Sequence, residues 1–170
     1  MSAQTLLLSL FRYKAWADEG LTAGLTAVGE RSAHAEFRTA IRILNHAHIV
    51  DRIFAANLQL TPHAYAATDP DEAPKPDSLF KAVKKTDQWY IGYIARLDEA
   101  ELAAMIEFPF SDGMPGRMSR EEMLGHIIAH GGYHRGEIGR IMTQLTRSSP
   151  RDTFTGYLHE TEPARRERMR

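Results

Sequence analysis

The sequence predicts an all-α protein, an antiparallel four-helix bundle, and three observations predict it. Four long segments carry apolar residues at the three- and four-residue spacing of a helix. No segment sustains a strand alternation, and breaks rich in proline or glycine separate the four. With 170 residues the chain is long enough to bury a core of its own. The expected organisation is a single domain over residues 1–170, a helical bundle to about residue 147 and a C-terminal extension over 148–170.

The first helix is expected from Ala3 to Val28, with Leu6, Leu10, Tyr13 and Ala17 on one stripe and Gly29 ending it. A second runs from Ala35 to Leu60, where Thr61 and Pro62 stop it. Pro62, Pro70, Pro74 and Pro76 then mark a connection, not a core element. The third helix begins at "PDSLF", with Asp77 or Ser78 as its cap, and continues through Trp89, Tyr90, Ile94 and Leu97.

Before the last long helix, "MIEFPFSDGMPGRMS" alternates briefly around Asp112-Gly113 and Pro115-Gly116, which predicts an irregular connection with a small hairpin. Ser119 and Glu122 form a capping box that starts the fourth helix, expected to end between Leu145 and Arg147. The stretch "RDTFTGYLHETEP" has enough aromatic residues to pack back onto the body. The basic tail from Ala164 to Arg170, which includes Glu167, is expected to be a solvated end.

Composition narrows the functions. A formal net charge of −1 gives no general pull toward nucleic acid or an anionic membrane, so neither is an expected partner. The N-terminal apolar stretch breaks at Arg12 and Lys14, too early to span a bilayer, and lacks a basic secretory start, which predicts a cytoplasmic protein. Without cysteine, the chain has no thiol nucleophile and no disulfide, and any metal must be held by nitrogen and oxygen.

Histidines are the residues that stand out. His126, His130 and His134 recur every four residues on the fourth helix. Measured from the centre of the sector formed by Met123, Leu124, Ile127, Ile128, Ile138, Ile141, Met142 and Leu145, His134 lies at about 30°, His130 at about 70° and His126 at about 110°. Residues four apart stand one above the other, so His130 and His134 can present two imidazoles to one ion. Two buried imidazoles with no shared partner would cost stability, whereas a metal satisfies both. Gly131 and Gly132, unfavourable inside a helix, fit a place where another group comes close, or tight helix packing alone.

On the second helix His46 lies about 50° from the sector of Ile43, Ala47, Val50, Ile53 and Phe54, which makes it the third candidate ligand. His48 lies on the far side and is expected to be solvated or locally paired. His34, His63 and His159 have no geometric claim. Asp51 beside His46, or Glu137 beside His134, could orient a ring by accepting its second N–H. Each could instead pair with Arg52, Arg135 or Arg140 on the surface.

The fourth helix reads His130-Gly-Gly-Tyr-His134, without the glutamate of a zinc peptidase, and no E-x-x-H pairs suggest a di-iron centre. Three histidines with open positions suit zinc, nickel or ferrous iron.

The block "LNHAHIVDRIF" followed by "HIIAHGGYHRGEIGRIM" resembles the DinB family of DinB/YfiT-like metal-binding four-helix bundles, most specifically at His130 and "YHRGEIG". The resemblance spans most of the chain. It implies a metal held by one histidine of the second helix and two of the last, matching His46, His130 and His134, with His126 behind them. It also implies a homodimer and a link to DNA-damage induction. The activities it implies are thiol-dependent S-transfer, thiol-dependent isomerisation or metal-dependent hydrolysis.

Three functional readings follow. In the first, an ion at His46, His130 and His134 activates a water or a low-molecular-weight thiol cosubstrate against a small-molecule substrate. Tyr133, Arg135 and Glu137 flank the ligands there: Glu137 could act on a proton, and Arg135 is expected to bridge helices. In the second, the protein is a non-catalytic metal-binding stress protein, closed by a fourth ligand such as His126 or Asp51. In the third, it is a dimeric interaction module with incidental histidines.

Overall fold

The computed structural model describes residues 2–70, 72–110 and 113–169. The expected turn residue Asp112 and the terminal Arg170 lie outside them, as does the side chain of Glu167. The chain is mostly helical, with a small two-stranded sheet.

The first helix, α1 (Ala3–Thr26), buries Leu7, Phe11, Lys14, Asp18, Leu21 and Leu25. Of the expected stripe Ala17 is buried, but Leu6 is exposed and Leu10 and Tyr13 are half-buried, because the buried stripe runs through Leu7, Phe11, Lys14 and Asp18. Lys14 and Asp18 hold core positions of the real stripe, and their charge broke the apolar pattern by which such a stripe is read. A short 3-10 turn, Gly29–Ala33, leads into α2 (Ala35–Leu58). An irregular connection, described over 59–70 and 72–75, then leads to α3 (Pro76–Ile94). The expected caps Asp77 and Ser78 fall inside α3: Pro76 takes the first turn, where its missing N–H leaves no bond unmade, and Lys75 stands at the cap without a side-chain bond. Leu97 lies beyond α3 yet is buried.

A five-residue helix, α4 (Glu99–Ala103), was not expected, being too short to show a period. Asp98 and Glu101 form its capping box. Strands β1 (Met105–Pro109) and β2 (Pro115–Ser119) make the expected hairpin, from the pair Met105 and Ser119 to the pair Pro109 and Pro115. Ser119 closes β2 and also caps α5 (Arg120–Thr146), its side chain accepting from the Glu122 amide at 3.2 Å while Glu122 accepts from the Ser119 amide at 2.7 Å. The start of α5 is thereby fixed to the hairpin's register. The C-terminal segment forms α6 (Phe154–Thr161), whose Phe154 and Tyr157 pack on Tyr13 and Trp16 of α1.

The apolar core is split in two. One cluster, next to the hairpin, contains Phe11, Val50, Phe54, Tyr90, Ile94, Met123 and Ile127. The other contains Leu21, Leu25, Ile41, Leu44, Val83, Ile138 and Met142. From the order of these residues, α1 and α5 run from the first cluster to the second, and α2 and α3 run back. Parallel α2 and α3 require a long return connection, which the residues between Leu58 and Pro76 supply. Between the clusters every long helix places polar residues at one level: Lys14 and Asp18, His46 and Asp51, Asp87, and His130 to Arg135.

Lys14, 2 % exposed, lies at the centre of that layer. Its Nζ stands 2.8 Å from Asp18, 2.9 Å from Asp51 and 2.7 Å from Asp87, one acid on each of α1, α2 and α3. Burial by itself would depress this ammonium, but the three carboxylates outweigh it and hold its pKa well above the usual lysine value.

Candidate metal centre

Helices α2 and α5 pack along each other, and their contact carries the three histidines. His130 and His134 sit on successive turns of α5 with ring centroids 4.4 Å apart. His46 faces them from α2, its centroid 5.3 Å from His130 and 4.8 Å from His134. One ring nitrogen from each lies within 4.8 Å of the others.

The hydrogen bonds define which nitrogens are free. The Nδ1 of His46 donates to the Thr68 carbonyl at 3.0 Å, and the Nδ1 of His134 donates to Oε2 of Glu137 at 2.7 Å. Both rings therefore carry their lone pair on Nε2. The Nε2 of His130 is 3.1 Å from that of His134, while its buried Nδ1 has no partner. In a neutral His130, a proton on Nδ1 would be a buried donor with no acceptor, and a proton on Nε2 would leave Nδ1 a buried acceptor with no donor.

Burial pushes the pKa of His130 down to about 4, helped by His134, His126, His46 and Lys14, so the ring is neutral at physiological pH. Neutral imidazoles are the form that ligates a divalent cation, and the residues present fit one.

The sequence model of the DinB family matches residues 1–168. The chain belongs to the DinB family. It is similar to Protein DinB of Bacillus subtilis (strain 168), with 24% identity over 166 residues that cover 90% of this chain and 94% of the relative. No solved structure shows a significant match.

Around the histidines of this DinB-family chain the other expected residues divide. Glu137 lies on the His134 ring, as its spacing allowed. Asp51 does not reach His46: it is buried and its Oδ2 is taken by Lys14, so it neither orients that ring nor forms a surface pair with Arg52. His126 is exposed and stacked between Phe54, at 4.7 Å, and His130, at 5.4 Å. Tyr133 sets its ring edge-on to His134 but is 66% exposed.

Arg135 bridges helices, bonding Asp152 at 2.8 Å and Asp18 at 3.5 Å. Among the described residues it makes no hydrogen bond to a histidine. His48, expected to be solvated or locally paired, is half-buried, and its enclosed Nδ1 has no hydrogen-bond partner among the described residues. Burial, reinforced by Lys14 and Arg52, lowers its pKa to about 4.

Two features of the site went unread in the sequence. Lys14 passes beside Gly131, where a Cβ would stand only 3.3 Å from its Cε, so the glycine makes room for the lysine. A charged pair on a core stripe of α1 was the available signal. The Thr68 carbonyl is a backbone atom, and no residue type announces it. The open groove between α1 and α3, about 560 Å³ and lined by Trp16, Phe80 and Lys84, includes none of the three histidines.

Proposed function

We propose that this DinB-family protein is a metal-dependent enzyme of the S-transferase or hydrolase type, built on a four-helix bundle and holding zinc, nickel or iron at His46, His130 and His134. When bound, such an ion supplies Lewis acidity that makes a thiol or a water nucleophilic near neutral pH. The chain's own residues prepare for it. Glu137 fixes the His134 tautomer, the Thr68 carbonyl fixes that of His46, and burial keeps His130 unprotonated. We assign Glu137 to this orienting task, since its carboxylate is engaged with the ring. Lacking cysteine, the chain would draw a thiol from a low-molecular-weight cosubstrate.

The observation that carries the catalytic reading over a structural one is the missing fourth ligand. Among the described residues the converging group contains three donors only. Asp51 is committed to Lys14, and His126 is not in the group. A structural zinc site normally closes with four protein ligands, whereas three leave a position for a reactant.

The four long helices support the bundle, α2 packing on α5 and α1 on both α3 and α5. Family resemblance supports a homodimer acting on a small molecule. No helix is long and apolar enough to cross a membrane among the described residues.

The test is metal content per chain in tag-free protein, beside His46→Ala and His134→Ala. About one ion per chain in the parent, lost in both variants, is expected. Thiol transfer and hydrolysis are then screened with the loaded protein. No uptake of zinc, nickel or iron would overturn the reading.

A further inference from the structure

We propose that the described residues of the connection between α2 and α3, 59–70 and 72–75, form a strap whose order is coupled to metal loading, with the Thr68 carbonyl as a positioning group for His46. This rests on the metal-site reading above. Because α2 and α3 run the same way, the chain must return along the flank of α2 before α3 can begin. His46 lies twelve residues before the end of α2 at Leu58, about 18 Å back along the axis. Thr68 lies ten residues beyond Leu58, which an extended chain could carry about 35 Å, so the strap reaches His46 with slack.

Its attachment is sparse. Beneath it an open groove of about 540 Å³ runs past Asn45, Ile49 and Leu79, so Tyr65, Ala66 and Pro70 above are not packed tightly onto α2. Gln59, Leu60 and Thr61 still bond the last carbonyls of α2, and beyond them two polar ties join the described residues of the strap to α2. One is the bond from His46 Nδ1 to Thr68 at 3.0 Å, and the other is Arg42 to Asp69, at 3.4 Å and exposed. An exposed pair of that kind adds little. Between Thr61 and Ala73, which packs on the second core cluster, the histidine bond is therefore the main polar attachment, and Pro62, Pro70 and Pro74 reduce the freedom it must remove.

Coupling follows from the chemistry of the ring. Drawing electron density from Nε2 makes the Nδ1–H a stronger donor, so loading tightens its bond to Thr68. By linkage, a strap held in place must raise metal affinity by the same factor.

Hydrogen exchange of the full-length chain, with and without zinc, tests this alongside metal analysis of the same samples. Peptides within 61–75 should gain protection on loading, while those of α6 do not. Thr68→Gly combined with Asp69→Gly frees the backbone and leaves all three histidines intact. It should weaken zinc affinity by about tenfold, with the apo melting temperature lowered only by the small amount that two added glycines cost through the unfolded chain. Under loading, the His46 Nδ1–H should give a slowly exchanging proton signal that this variant loses. Zinc bound at one per chain, with unchanged strap exchange and full affinity in the variant, would overturn the strap and leave the metal site standing. No zinc uptake at all would remove both.

Discussion

The Nε2 atoms of His130 and His134 face each other at 3.1 Å, while the Nδ1 of His134 is held by Glu137 at 2.7 Å. The carboxylate behind one ring thus decides what lies in front of both. With the His134 proton fixed on Nδ1, its Nε2 must present a lone pair to whatever sits between the rings. Glu137→Gln keeps an acceptor of the same shape but loses its charge. Zinc affinity is expected to fall by about tenfold or more, with one ion still bound at saturation. Competition with a chelator measures it, and unchanged affinity would remove Glu137 from the site.

Lys14 holds three carboxylates together out of water, so its removal leaves uncompensated buried charge. Lys14→Met is expected to cost about 3–5 kcal/mol in urea unfolding, because breaking a buried ionic cluster from one side is far worse than replacing it whole. Adding Asp51→Asn and Asp87→Asn to Lys14→Met should recover part of the loss. A triple variant no more stable than the single one would mean that packing, not charge, sets the effect.

Asp87 gives the cluster a pH dependence with a definite sign. Burial is the main cause that pushes its pKa up to about 7, with Lys14 opposing and Asp18 and Asp51 adding to it. Its folded-state pKa lies above the unfolded value of 3.8, so the folded protein binds the extra proton. The stability this lends is complete below the unfolded pKa and is lost as pH rises through about 7. Relative to the parent, Asp87→Asn should therefore gain stability between pH 5 and pH 8. Parallel thermal melts read the difference, and one that stays constant across that range would contradict the assignment.

Gly131 and Gly132 are adjacent in sequence and should answer differently to alanine. At Gly131 a Cβ would meet Lys14 Cε and Arg135 Nη1, both at 3.3 Å, and neither neighbour is free to move. At Gly132 the nearest group is Arg135 Nη2, at 3.9 Å, an ordinary contact. Gly131→Ala is expected to lose about 1–2 kcal/mol, since overpacking outweighs the helix gain of about 1 kcal/mol, while Gly132→Ala keeps most of that gain. Chemical denaturation of the two variants decides it. Equal shifts would show that the lysine does not press on Gly131.

By itself the sequence determined what depends on neighbours along the chain. The 3.6-residue period put His130 and His134 on one inward face and turned His46 inward. The capping box at Ser119 and Glu122 fixed the start of α5, and the turn residues marked the hairpin. These are local regularities, read from spacing alone. Only the tertiary structure decided which faces meet.

It gave Asp51 to Lys14 rather than to His46, left His48 half-buried, and brought the Thr68 carbonyl onto the ring of His46. Those pairings join residues on different helices or on a return segment. Helix periodicity fixes the angle of a side chain about its own axis, but the partner across the gap depends on how the axes are placed. Lys14 shows the limit most clearly: a charge on a core stripe reads as a break in the pattern until three acids from three helices are seen around it.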